Sequence, residues 1–209
     1  MGLGKLIGIH SPFYRICNMI YRLTILNFLW FFFSLPLITI GASTTALFHV
    51  IDKIIDDKSI YLFRDFWKSF KNNFVQSLLI SAIIFIFIFI LLMNILNINL
   101  LGSIAKVFII VQFIALIELL ILVIYVFPIL SRYSLKTIEV LKMAFFMANR
   151  HLLTTILSLF IPIIIFFLVY LSQFFLFFSI SLYSLMSMYI IKKVFNKYEL
   201  KQLDSQINY

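Results

Sequence analysis

Few side chains in this sequence have the type and setting for chemistry, and one stands out. Glu118 is the single acid, Lys or Arg between Lys106 and Arg132. A carboxyl inside a long apolar run is costly, so it turns to a bundle interior and often marks an ion or substrate path. Glu118 therefore offers two readings. One is proton coupling or substrate binding in a small transporter. The other is a protonated structural carboxyl hydrogen-bonded to a neighbouring helix, which the lack of a basic partner in the apolar runs favours. The three histidines, His10, His49 and His151, sit far apart near the ends of such runs and do not suggest a metal site. A single cysteine, Cys17, excludes an internal disulfide and a cysteine-based metal cluster. The sequence has no G-x-S-x-G, no H-E-x-x-H and no Walker loop. Neither an enzyme nor a cofactor is expected.

Composition states which solvent must hold these residues. Hydrophobic residues are 64% of the chain, charged residues 12%, and Phe alone supplies 26 of 209 positions. A soluble domain carries about 25% charged residues. A soluble fold has no place to hide so much apolar surface, whereas a bilayer does not require it hidden. The expectation is an all-α polytopic bundle in a membrane. The net charge of +9 lies between the apolar runs, where it sets topology, so nucleic acid is not an expected partner.

Residues 62–74, LFRDFWKSFKNNF, combine five aromatics with four charges. At helical spacing Phe63, Phe66, Trp67, Phe70 and Phe74 fall on one arc, and Arg64, Lys68 and Lys71 form a separate stripe. This reads as a basic amphipathic helix at the membrane surface, its aromatics in the acyl boundary and its cations on anionic lipid. The same helix is a candidate docking surface for a cytoplasmic protein.

The remaining elements follow from the runs. Residues 11–22 read as an interfacial helix, with Ser11 as cap and Pro12 at the first turn. Arg15 and Arg22 interrupt any signal-peptide pattern, so this segment is expected to be retained. Residues 23–51 lack acid, Lys and Arg, and are broken by Pro36, Gly41 and the small-residue patch that begins Ala42-Ser43. Small residues let backbones approach, so Pro36, Gly41, Ala42 and Ser43 mark a helix-packing turn. This stretch is long for one span and short for two. It is either a span plus a short helix or a folded hairpin. The connector 52–73 carries five Lys/Arg, 131–150 four and the tail 192–209 four, while Lys106 is the lone cation in the opposite turns. The positive-inside rule puts those three segments, and the C-terminus, in the cytoplasm. Spans are expected at 74–96, 107–130, 151–171 and 172–191. Charge favours six spans in all and length favours five; the expectation is five full spans, with 42–56 as a further helix near the membrane.

Asn27-x-x-Trp30, then Leu35-Pro36-Leu37-Ile38-Thr39-Ile40-Gly41-Ala42-Ser43-Thr44-Thr45-Ala46-Leu47, then Phe66-Trp67-Lys68-Ser69-Phe70-Lys71-x-Asn73-Phe74 resemble the YesL-like family of bacterial integral membrane proteins. Where that family has Pro after the turn glycine, this chain has Ala42. The resemblance implies a multi-span membrane protein with no catalytic residues, associated with carbohydrate uptake and utilisation. Subunits of an ABC sugar transporter are the partners it suggests. The function expected is that of a non-enzymatic accessory protein. The alternative is a small stand-alone secondary transporter that uses Glu118.

Overall fold

A computed structural model describes residues 12–97 and 105–207, with side chains for 13–97 and 105–198. Ser11 and His10 lie outside the described residues. The described residues form helices and no strand: α1 (Pro12–Ser34), α2 (Ile40–Ile55), α3 (Leu62–Leu96), α4 (Ala105–Arg132), α5 (Thr137–Arg150), α6 (Leu152–Leu171) and α7 (Ser179–Ile207). Short 3-10 turns at Leu37–Thr39 and Gln173–Phe178 precede α2 and α7. Six of these helical segments are long and apolar enough to cross a membrane. The all-α bundle expected from composition is thus the fold.

Residues 23–51 form a hairpin. Thr39 closes its turn: its amide donates to the Pro36 carbonyl at 2.8 Å, and its hydroxyl lies 2.6 Å from the Phe33 carbonyl oxygen. Leu35, Leu37 and Ile38 around it are exposed and apolar. Satisfying the backbone locally is what permits such a turn in an apolar setting. Residues 12–22 are not a separate interfacial helix. They are the first turns of α1, continuous with its apolar part.

The core is organised around α2. It packs along α3 and also meets α1, α4 and α7. Gly41, Ala42, Ser43, Thr45 and Ala46 are buried on it. Opposite them α3 offers Ser77 and Ser81, also buried. Thr45 Oγ1 lies 3.1 Å from Ser77 Oγ and also donates to the Gly41 carbonyl. Small residues on both helices bring the two backbones together, which is how apolar helices associate without a hydrophobic driving force.

Two motif residues of α1 tie the bundle at a distance. The Asn27 side-chain oxygen accepts from the Ile180 and Ser181 amides at 3.1 and 3.3 Å. It caps the first turn of α7, whose amides have no partner within the helix. Trp30 Nε1 donates to Thr44 Oγ1 at 3.0 Å, fixing α1 on α2. The tail 192–207 is not a separate segment either, since α7 runs through it.

Candidate functional site

All of the fixed charge that the described helices place together lies at one end of the bundle. Lys53 pairs with Asp65 at 2.9 Å, Arg132 with Asp52 at 3.4 Å, and Lys192 with Asp52 at 2.7 Å. Lys192 also bonds Asp56, which Lys58 holds at 2.9 Å from the other side. The Lys192 ammonium, with Lys58 beside it, keeps the Asp56 carboxyl below its ordinary range. The same bond raises the Lys58 ammonium. Four elements thus meet through ion pairs: α2, α3, α4 and α7.

Beside this network opens a cleft of about 640 Å³ between α2, α3 and the α4–α5 junction. Its cations are Lys53, Lys68, Arg132 and Lys136, and no Asp or Glu lines it. Asn72, Asn73 and Gln76 come from α3, and Ser131 and Ser134 from the α4 end. His49 Nδ1 donates to the Ser131 carbonyl at 3.1 Å and Gln76 Nε2 to the Leu135 carbonyl at 2.7 Å, which pins the junction to the walls. Lys53 and Arg132 are paired with Asp65 and Asp52, which do not line the cleft. Among the described residues Lys68 and Lys136 have no carboxylate partner. An arrangement of this kind attracts and orients an anion.

The sequence placed Lys68 with Arg64 and Lys71 on one stripe. The structure divides them: Lys68 lines the cleft, while Lys71 lies over the Trp67 ring at 5.6 Å. It also divides the aromatic arc, which is a correction to the docking-helix reading. Phe66 and Phe70 are buried, packed on Phe33 of α1 with ring centroids 5.6 and 5.2 Å away. They are core residues and are not available to lipid or to a partner. Phe63 and Trp67, on the rim of the arc, stay exposed with Arg64. The reason is the hairpin: α1 folds back onto the very face that periodicity marked as apolar. The helix itself is also longer than expected, because the amphipathic turns and the span 74–96 are one element, α3.

Glu118 is neither deeply buried nor in the cleft. It is partly exposed on α4, and its carboxylate accepts from Asn149 Nδ2 at 2.7 Å. Asn149 closes α5, so α5 turns back along α4 and does not lead away from it. The basic partner that the apolar runs lacked is replaced by an amide. The turn residues Pro36, Gly41, Ala42 and Ser43 do sit together where α2 begins. There a side chain at Gly41 would fall onto Ser81 Oγ and within 3.0 Å of the Ser77 carbonyl oxygen. That is close helix packing. Nothing in the sequence joins the cleft residues His49, Ser69, Asn72, Asn73, Gln76, Ser131, Ser134 and Lys136 into one site. Their signal was present in the polar pair Asn72-Asn73 and in the polar run opening the second connector.

Comparison with known proteins fits this architecture. A family model described as protein of unknown function, DUF624, matches residues 23–95. The uncharacterized protein YteU of Bacillus subtilis (strain 168) is 31% identical over 193 residues, covering 88% of this chain and 86% of the relative. The chain belongs to the DUF624 family. The match agrees with the YesL-like resemblance and covers the second half of α1, all of α2 and nearly all of α3, the hairpin and the helix that packs on it. No solved structure matches the chain.

Proposed function

We propose that this DUF624 member is a non-enzymatic accessory protein of the bacterial cell membrane, serving carbohydrate uptake by holding a transporter subunit at its charged end. The observation that carries this reading is the exposed strip Phe63, Arg64 and Trp67, backed by Lys71, on the first turns of α3. At 1.5 Å per residue the 35 residues of α3 measure about 52 Å, against about 30 Å of hydrocarbon, so these turns extend past the bilayer core. Exposed aromatics with cations suit both anionic headgroups and a protein partner. The concentration of Lys and Arg at this end supports its facing the cytoplasm, with the C-terminus. The link to sugar uptake rests on the YesL-like resemblance, and ABC transporter subunits are the partners it points to.

The test is affinity purification from native membranes in a gentle detergent, with mass spectrometry, comparing wild type with a Phe63→Ala/Trp67→Ala variant. A transporter subunit retained by wild type and lost by the variant supports the reading. A protein recovered alone from both, while both remain in the membrane, removes it.

A further inference from the structure

We propose that the cleft beside the ion-pair network binds a phosphate group, carried by a lipid headgroup or by a soluble phosphate ester. This goes beyond docking at Phe63 and Trp67, and it rests on other residues. Three separate segments of the chain bring Lys53, Lys68, Arg132 and Lys136 to the wall of one cavity of about 640 Å³. Like charges brought together repel, and proteins tolerate this where an anion completes the set. The carboxylates present do not complete it. Asp65 and Asp52 pair with Lys53 and Arg132, holding those side chains in place, and both stay out of the lining. Glu139, three residues after Lys136, does not line the cleft: its carboxylate accepts from the Lys136 backbone amide at 2.9 Å and caps α5. Lys68 and Lys136 thus supply uncompensated charge.

The neutral lining adds the donors a phosphate uses. Asn72 and Ser134 reach the cleft with no hydrogen bond among those the described residues make, while Asn73 and Gln76 are already committed to backbone or neighbouring oxygens. Charge-assisted bonds from Lys and Arg, with amide and hydroxyl donors between them, form the usual phosphate environment. Its position suits either source. Val75 and Leu79, on the turns of α3 next to the cleft residues, are exposed and apolar, so an acyl chain could lie along them. A cavity of about 640 Å³ also has room for a soluble ester.

The experiment uses the full chain in dodecyl maltoside and in nanodiscs. One arm titrates inorganic phosphate and glycerol 3-phosphate and follows the melting temperature, with sulfate-free sodium chloride at matched ionic strength as control. The other arm counts bound phosphatidylglycerol by native mass spectrometry. Both arms are run on wild type, Lys68→Gln/Lys136→Gln, Asn72→Leu and, as a basic surface control, Lys142→Gln. Losing two charge-assisted contacts should weaken binding by about tenfold or more in the double variant. Lys142→Gln should stay within about twofold of wild type, the scale of an exposed charge. Specific binding in the soluble arm alone identifies an ester, and in the lipid arm alone a headgroup. Binding equal in wild type and the cleft variants, or no binding above the chloride control in either arm, overturns the proposal. So does a response that Lys142→Gln reduces as much as the double variant.

Discussion

Replacing Gly41 by Ala should destabilise the bundle measurably, and the cost should depend on one hydroxyl. The new Cβ would fall on Ser81 Oγ, lie 3.0 Å from the Ser77 carbonyl oxygen and 3.1 Å from Phe127 Cε1. The carbonyl belongs to the α3 backbone, so α2 and α3 must part slightly. Overpacking of this kind costs about 1–3 kcal/mol. At about 2–4 °C per kcal/mol for a chain of this size, Gly41→Ala should melt roughly 2–12 °C below wild type. Ser81→Ala alone should cost little, because Ser81 Oγ is buried without a partner. In the double variant the worst contact is gone, leaving the carbonyl and the Phe127 ring. A coupling of about 1 kcal/mol should then appear in the cycle. The assay is thermal unfolding of purified protein in one detergent, followed by fluorescence and by monodisperse recovery. An unchanged melting temperature for Gly41→Ala would refute the close approach of α2 and α3. Strict additivity with Ser81→Ala would show that Ser81 is not the obstructing group.

Three further outcomes follow from the same geometry. Phe66 is fully buried and Phe63 is 59% exposed, so Phe66→Ala should cost about 3–5 kcal/mol and Phe63→Ala within about 0.5; equal melting temperatures would contradict the division of the aromatic arc. Asn27→Leu should destabilise by about 1–3 kcal/mol, since the Ile180 and Ser181 amides lose their acceptor; Asn27→Asp, which keeps an acceptor, should recover most of the loss in the same melt. Burial, with Lys197 and Arg150 nearby, holds the His151 imidazole below its ordinary 6.5. The unfolded chain therefore binds a proton first as pH falls through that value, and stability should drop between pH 7 and 5; His151→Gln should flatten that drop, and an unchanged pH profile would count against it.

Much of this was legible in the sequence. The charge-free runs marked the apolar helices, and the patch at 41–46 marked where a neighbouring backbone could come close, because small residues leave room for it. Periodicity also gave the aromatic arc of residues 62–74, but an arc is an angle and does not name its neighbour. Phe33 supplies that neighbour, and only the hairpin at 35–39 brings it there. Depth along a run did not name the partner of Glu118 for a similar reason: Asn149 returns to it because α5 folds back on α4. The cleft was the least legible feature. Its walls come from 49–53, 68–76 and 130–136, and no local spacing links them.

The most direct test of the central claim is photo-crosslinking in native membranes from single positions on α3. A benzophenone side chain placed at 63 or 67 should form adducts with a transporter subunit, while one at 66, inside the bundle, should react only within the chain. Adducts from 63 and 67 confined to lipid and to the protein itself, with abundance unchanged, would contradict a docking role for this surface.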